Sequence, residues 1–159
     1  MTFFRKAYSV VGVLLLLEYL AQVFLIAATI FTIADAPDNA KGVYAAFKNS
    51  DTFAGLHAIN GTLVISVTTL ILIGLAIGAR YPRRTVLLTA SLFLLLVLQF
   101  VLAIVGIPLV SGLHGLNALV LIGAAGWLTS THWAWRYRAE ARPAATQEPV
   151  AAWSPPPPG

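Results

Sequence analysis

The sequence predicts an all-α integral membrane protein that folds as a single bundle of four transmembrane helices. Apolar residues make up 58% of the chain and charged residues 10%, whereas an average soluble domain has about 45–50% and about 25%. Four apolar segments each reach the about 20 residues that cross a bilayer. Most of the basic residues cluster beside the ends of these segments. Together these observations place the chain in a lipid bilayer.

The four segments fall at about residues 8–34, 54–79, 84–107 and 112–135. Each is too long for a strand, and backbone groups in lipid must be satisfied within their own segment, so each is predicted as a helix. The first segment follows a short basic stretch and therefore resembles a signal peptide. Its apolar run is much longer than the about 7–15 residues of a signal peptide, so we predict that this helix is retained.

The basic clusters predict the orientation, because cytoplasmic loops carry an excess of lysine and arginine. The clusters are Arg5 and Lys6 before the first segment, Arg80, Arg83 and Arg84 between the second and third, and Arg136, Arg138 and Arg142 after the fourth. Four helices place all three clusters on one side. We therefore predict a multi-pass protein of the cell (inner, cytoplasmic) membrane with both termini cytoplasmic. An outer loop is predicted at about residues 35–53, and a tight outer turn around Pro108.

Composition also limits the domain organisation and the chemistry. Residues 1–138 are predicted to form the transmembrane domain, and the Ala/Pro-rich tail at 139–159 is predicted to be disordered because it cannot bury a core. The chain has no cysteine, which excludes disulfides, thiolate metal sites and covalent haem attachment. Basic and aromatic residues do not alternate as they do in nucleic-acid-binding surfaces. The expected environment is a lipid bilayer, without a nucleic-acid partner.

Two short stretches predict an internal duplication. GLHAING at residues 55–61 and GLHGLNA at 112–118 share four identities, each 57 positions apart. Before them, QVFL at 22–25 matches QFVL at 99–102, 77 positions apart, and the longer first outer loop accounts for the difference. Both hairpins begin on the predicted cytoplasmic side. The chain is therefore predicted to be a parallel repeat of two helical hairpins, related by an axis along the membrane normal.

This repeat predicts a haem site between His57 and His114. In an up-and-down bundle the second and fourth helices are diagonal, so both histidines should lie at one depth near the outer surface. Diagonal axes are about 12–14 Å apart if neighbours are about 8–10 Å apart, which two imidazoles and a metal fill. Histidine is a common axial ligand of haem iron, and bundle cores often hold cofactors. Small residues that would make room for one haem b are Gly55, Ala58, Gly61, Gly112, Gly115 and Ala118.

Other polar residues have two interpretations each. The amides, which either bind the cofactor or brace neighbouring helices, are Asn60, Asn117, Gln22 and Gln99. Glu18 either handles protons or quinone, or forms an interhelical hydrogen bond. Lys41 and Lys48 either meet haem propionates or lie in a solvated loop. His132 lies among tryptophans at the cytoplasmic end and is interpreted as an interfacial anchor. A zinc or copper site is disfavoured, since zinc requires four protein or water ligands.

A family resemblance supports the haem site. The third and fourth segments resemble the second hairpin of a heme A synthase half. The resemblance rests on LQFVL at 98–102, Gly106, Leu113-His114 and an apolar helix that ends at Trp127. It covers about residues 10–135. It implies a b-type haem held near the outer face by one histidine on the second helix and one on the fourth. Members have two such bundles and, in the catalytic half, a glutamate three residues before the first histidine. Here there is one bundle, that position is Ala54 and Ser111 in the two copies, and the cysteine pair of many members is missing.

The leading hypothesis is a membrane b-type cytochrome without catalytic residues of its own. Two histidines fill both axial positions of the iron, which suits one-electron transfer. A quinone or a larger respiratory complex would be the redox partner, and a homodimer is compatible with the sequence. The alternatives are a half-length heme A synthase-like enzyme, and a cofactor-free accessory subunit whose histidines bond across helices.

Overall fold

The protein folds into four long helices. The computed structural model describes residues 2–105 and 107–135. Within those ranges it contains no strand, and the helices are α1 (Thr2–Ala34), α2 (Ala40–Gly78), α3 (Arg83–Ile104) and α4 (Pro108–Thr131). All four are long and apolar enough to cross a membrane. The all-α fold and the multi-pass character are confirmed, whereas the predicted disordered tail lies outside the described residues.

The four helices form one bundle around an apolar core. α1 packs against α2 and α4, and α3 packs against the same two helices. α2 and α4 therefore stand on one diagonal, and α1 and α3 on the other. The core is built from large buried side chains of all four helices, among them Leu15, Leu72, Leu92 and Leu128. The outward faces are apolar as well, which is typical of helices that face lipid rather than water.

The helix bounds differ from the predicted segments in one important place. The predicted loop at residues 35–53 is wrong beyond its first five residues, because α2 begins at Ala40. Asn39 caps this helix by accepting a hydrogen bond of 2.9 Å from the backbone N–H of Gly42. Residues 40–53 mix polar and apolar side chains, so a search for uniformly apolar runs misses their helical character.

At the turn between α3 and α4, Pro108 is the first residue of α4, where its missing N–H costs nothing.

The two hairpins have unequal lengths. α1 has 33 residues and α2 has 39, against 22 in α3 and 24 in α4. At a rise of about 1.5 Å per residue, α1 and α2 are about 50 and 58 Å long, which is well beyond the about 30 Å hydrocarbon thickness of a bilayer. The first hairpin (α1 and α2) is therefore longer than the second (α3 and α4), and it cannot lie entirely within the hydrocarbon.

A π turn interrupts α2. Asn60–Val64 has π-helical hydrogen bonding, and the backbone N–H of Ile65 reaches the carbonyl of Asn60, five residues earlier. A π turn accommodates one extra residue in a helix and is frequent at functional sites. This π turn begins three residues after His57, so it shifts which residues of α2 face the core beyond that point.

Close packing of α1 on α4 depends on Gly12. A Cβ atom at Gly12 would lie 2.5 Å from Thr129 Oγ1 and 3.2 Å from its Cγ2. We expect Gly12→Ala to lower the free energy of unfolding by about 1–3 kcal/mol, the usual cost of overpacking. Gly74→Ala is the matched control, because a Cβ there meets no heavy atom within 4 Å. Unfolding in mixed detergent micelles measures both variants, and equal stabilities would contradict the expectation.

Candidate functional site: a cavity lined by two histidines

The structure brings His57 of α2 and His114 of α4 together across the bundle. Their ring centroids are 6.4 Å apart, and the ring planes are inclined at 54°. The two residues come from diagonal helices that are otherwise separated by α1 and α3. Their imidazoles therefore span the middle of the bundle.

Each histidine is held by a glutamine of the preceding helix through two hydrogen bonds. In the first hairpin, His57 Nδ1 lies 3.3 Å from the backbone oxygen of Gln22, and Gln22 Nε2 donates to the backbone oxygen of His57 at 2.9 Å. In the second hairpin, the corresponding distances between His114 and Gln99 are 3.0 and 2.9 Å. We call each pair of reciprocal bonds a glutamine clamp. The same clamp occurs once in each hairpin.

The clamps determine which ring nitrogen is available. A carbonyl oxygen only accepts hydrogen bonds, so Nδ1 of each imidazole must carry the proton. Nε2 of the neutral ring is then left with a free lone pair. Among the described residues, Nε2 of neither histidine forms a hydrogen bond. Metal-binding histidines are commonly oriented in this way, with the second nitrogen donating to a backbone carbonyl.

One turn after each histidine, an asparagine braces the neighbouring helix. Asn60 Nδ2 donates to the backbone oxygen of Glu18 at 3.2 Å. Asn117 Nδ2 donates to the backbone oxygen of Leu95 at 2.9 Å and to Gln99 Oε1 at 2.6 Å. Neither asparagine is among the residues that line the cavity described below. Their contacts are those of braces between α1 and α2 and between α3 and α4.

The two braces should differ in strength. We expect Asn117→Ala to destabilise the bundle by up to about 1.7 kcal/mol and Asn60→Ala by about 0.6 kcal/mol, the upper and average values for side-chain hydrogen bonds in membranes. The physical reason is that Asn117 makes two bonds and also holds the amide of a clamp, whereas Asn60 makes one longer bond. Unfolding titrations of both variants in one detergent test this order, and the reverse order would contradict it.

A cavity of about 500 Å³ is lined in part by the two imidazoles. Ligand pockets commonly have about 300–1,000 Å³. The wall is almost entirely apolar, and it is formed by all four helices: Tyr19, Gln22, Val23 and Ile26 of α1; His57, Ala58, Gly61, Thr62 and Ile65 of α2; Leu96, Gln99, Phe100, Ala103 and Ile104 of α3; His114, Gly115, Ala118, Leu119, Leu121 and Ile122 of α4. Sequence reasoning missed the apolar members of this wall, because only the packing shows which faces of α1 and α3 turn inward.

Four of the six predicted small residues line this cavity, namely Ala58, Gly61, Gly115 and Ala118. The other two, Gly55 and Gly112, lie one turn earlier on their helices. A Cβ atom at either would meet no heavy atom within 4 Å. Gly61 has a second role, because a Cβ there would lie 3.3 Å from Gln22 Nε2. Its missing side chain leaves space for the first clamp.

The remaining polar candidates lie away from the cavity. His132 is at the opposite end of the bundle, where its Nε2 lies 3.3 Å from Thr85 Oγ1 and its ring packs against Tyr8 and Tyr81. Lys48 precedes His57 by nine positions of α2, about 14 Å along the axis, and Lys41 precedes it by about 24 Å. Lys41 is therefore too distant to contact a ligand bound between the histidines.

Two histidines do not by themselves complete an ordinary metal site. Within the described ranges, no group of three or more His, Cys, Asp or Glu residues is placed to hold a metal ion. Zinc needs four ligands, and two imidazoles supply only two of them. Two imidazoles suffice for a metal that brings its other ligands with it, as iron in a porphyrin does.

Comparison with known proteins adds one match. The model of a family of unknown function, DUF6220, matches residues 44–106. The matched part includes α2 from its second turn, with His57, and all of α3 with Gln99, but it ends before His114. No curated protein and no solved structure matches the chain.

Proposed function

We propose that the protein is a small membrane b-type cytochrome that holds one haem b between His57 and His114 and transfers single electrons. The observation that carries the proposal is the placement of two clamped imidazoles in the wall of one apolar cavity, with ring centroids 6.4 Å apart. In this bilayer protein the electron would come from a quinone or from a larger redox complex. The sequence resemblance to heme A synthase points to the same cofactor.

The separation of the rings agrees with a metal between them. If the metal–nitrogen bonds are about 2.0–2.1 Å, as for zinc and imidazole, and each nitrogen lies about 1.2 Å from its ring centre, a linear arrangement puts the centroids about 6.4–6.6 Å apart. The observed 6.4 Å lies at this value.

The residues of the chain would orient and shield the cofactor. The backbone oxygens of Gln22 and Gln99 hold each ring with Nε2 free, and a ring so held donates a stronger lone pair to a metal. The apolar wall excludes water. When bound, haem supplies a one-electron iron couple, and two histidine ligands leave no open position for oxygen chemistry. Electron transfer therefore suits this site better than oxidation of a substrate.

Burial supports the predicted parallel repeat in the helices before the clamps. Positions 77 apart are buried together in α1 and α3: Tyr8 with Thr85, Gly12 with Thr89, Leu15 with Leu92 and Tyr19 with Leu96. The two clamps are related by the same offset in α1 and α3, and by 57 positions in α2 and α4. We infer that the two hairpins are copies of one unit, related by an axis along the bundle.

The π turn explains the one irregularity in this repeat. After the π turn, the buried residues of α2 and α4 correspond at an offset of 56 residues instead of 57. The pairs are Ile65 with Leu121, Thr69 with Ala125 and Leu72 with Leu128. The first copy therefore has one residue more than the second after its histidine, and the π turn accommodates it.

Ser9 Oγ, near the start of α1, donates to the backbone oxygen of His132, just after α4. This contact supports placing both termini on one side, which the basic clusters assign to the cytoplasm of the cell membrane.

An optical spectrum of the purified full-length protein tests the proposal. The protein would be expressed with ample haem, purified in detergent, and measured oxidised and reduced. We expect the sharp bands of a low-spin b-type haem at one haem per chain, with unmodified haem b on extraction. Protein that is folded and helical but lacks haem bands would refute the proposal, and an oxidised haem derivative would favour the enzyme alternative.

A further inference from the structure

Glu18 is a carboxyl group inside the bundle that the clamps do not use. It lies midway along α1, and its Oε1 accepts a hydrogen bond of 2.8 Å from Thr68 Oγ1 of α2. Its Oε2 is buried, and within the described part of the chain it has no hydrogen-bond partner. One carboxyl oxygen thus accepts a hydrogen bond from a neutral hydroxyl, while the other accepts none from the described residues.

Its position connects Glu18 to the cavity. The backbone oxygen of Glu18 accepts the Asn60 brace, the next residue, Tyr19, lines the cavity, and Gln22 forms the first clamp one turn later. The corresponding position of the second hairpin is Leu95, whose backbone oxygen accepts the Asn117 brace in the same way. The asparagine brace therefore needs only the backbone oxygen at this position. The carboxyl group of Glu18 has no counterpart in the second hairpin.

No cationic side chain lies near Glu18 along the helices that contain or contact it. The charged or titratable groups of these helices are Arg5, Lys6, Tyr8 and Tyr19 on α1, Lys41, Tyr44, Lys48, Asp51 and His57 on α2, and His114 on α4. Arg5 and Lys6 are about 18–20 Å away along α1 at the rise of a helix, and the two lysines of α2 lie beyond His57. A carboxylate in an apolar span is costly without a compensating positive charge.

We propose that Glu18 takes up one proton when the haem between His57 and His114 is reduced, so that the protein couples a proton to each electron. This inference rests on the proposed function. Ferric iron, a porphyrin dianion and two neutral imidazoles together would carry one positive charge inside the bundle, and this charge would compensate a Glu18 carboxylate. Reduction removes that charge, and the carboxylate is then neutralised by a proton instead.

The step balances in charge and atoms. An external one-electron donor, such as a quinol or a chemical reductant, supplies the electron that reduces iron from the ferric to the ferrous state. The buffered solvent supplies one H⁺, which binds the carboxylate of Glu18 at Oε2, and Thr68 keeps its bond to Oε1. Reoxidation reverses both transfers, and no other bond forms or breaks.

Potentiometric titration of the haem-loaded full-length protein at several pH values tests this coupling. One proton per electron changes the reduction equilibrium tenfold per pH unit, which is 59 mV for one electron. We expect the midpoint potential to fall with rising pH by a slope approaching this value, and Glu18→Gln to remove most of the slope while the low-spin spectrum stays unchanged. Leu95→Gln is the matched control, since it places a neutral amide at the corresponding position, and its slope should equal that of the natural protein.

A slope that persists in Glu18→Gln, or a natural protein with a pH-independent potential, overturns the inference while leaving haem binding intact. A natural protein that binds no haem overturns the proposed function itself. If Glu18→Gln does not retain haem, redox-difference infrared spectra of the natural protein decide the matter. We expect a protonated carboxyl band that appears on reduction, shifts in D₂O, and moves in Thr68→Val, which loses the bond to Oε1. A band unmoved by Thr68→Val would belong to another carboxyl group and would overturn the inference.

Discussion

Replacing His57 or His114 with alanine is expected to abolish the low-spin haem spectrum of the protein. In the proposed cytochrome each variant would lack one of the two histidines that hold the iron, so the iron would keep a single imidazole or be lost altogether. Loss of an outer hydrogen-bond partner of a metal ligand typically lowers metal affinity about 10–100-fold, and loss of the ligand itself should exceed this. Gln99→Leu loses both hydrogen bonds of its side chain, to the backbone oxygen of His114 and from Asn117, but keeps the backbone oxygen that orients the ring, so it should fall between the natural protein and His114→Ala.

The matched control is His132→Ala, because His132 packs against Tyr8 and Tyr81 at the opposite end of the bundle. Its spectrum and haem content should equal those of the natural protein. Added imidazole offers a second check, since it should restore a low-spin spectrum in His114→Gly by occupying the space of the lost ring. If both His57→Ala and His114→Ala bind haem with an unchanged spectrum, the ligand assignment is wrong.

Gly115→Leu is expected to prevent haem binding without preventing folding. Gly115 lines the cavity, and a Cβ there meets no heavy atom within 4 Å, so a leucine side chain would extend into the free space rather than into the protein. The haem content should fall to near zero, because a close-packed wall tolerates no additional side chain in the place of the ligand. Haem per chain, measured after purification, is the readout.

Gly112→Leu is the control for this substitution. Gly112 lies on the same helix, one turn earlier, also with no heavy atom within 4 Å of its Cβ position, but it does not line the cavity. The same change of residue should therefore leave the haem content unaltered, and both variants should keep the helical content of the natural protein. Equal haem content in the two leucine variants would show that the cavity is not the binding site.

The fold could largely be predicted from the sequence, because a transmembrane helix has a strong signal in composition alone. The start of α2 could not. Residues 40–53 contain Lys41, Lys48 and Asp51 among their apolar side chains, so their helical character depends on packing against α1 and not on uniform hydrophobicity. Asn39 was the available signal, since asparagine is a preferred N-cap residue, but an isolated asparagine in a polar stretch is also common in loops.

The residues of the site could be predicted from the sequence, but the hydrogen bonds between the histidines and the glutamines could not. The spacing of the two histidines, the two glutamines and the small residues indicated which positions belong together. The reciprocal bonds between Gln99 and His114 depend on how far α3 is shifted along α4, and the register of two helices is decided by the packing of many side chains. The π turn has no residue signature, since NGTLV at 60–64 differs little from ordinary helix. The extra residue is recognisable only once the buried positions of α2 and α4 are compared.

The paired arrangement of the two histidines and the two glutamines has a consequence for any flat ligand with two unlike edges. A half-turn about the bundle axis exchanges the two histidines and the two glutamines, so such a ligand can enter the cavity in two orientations. Only wall residues that differ between the hairpins distinguish these orientations, notably Tyr19 against Leu96 and Val23 against Phe100. The ratio of the two orientational isomers is thus set by the wall residues that differ between the hairpins, and exchanging those residues between the hairpins would invert the ratio.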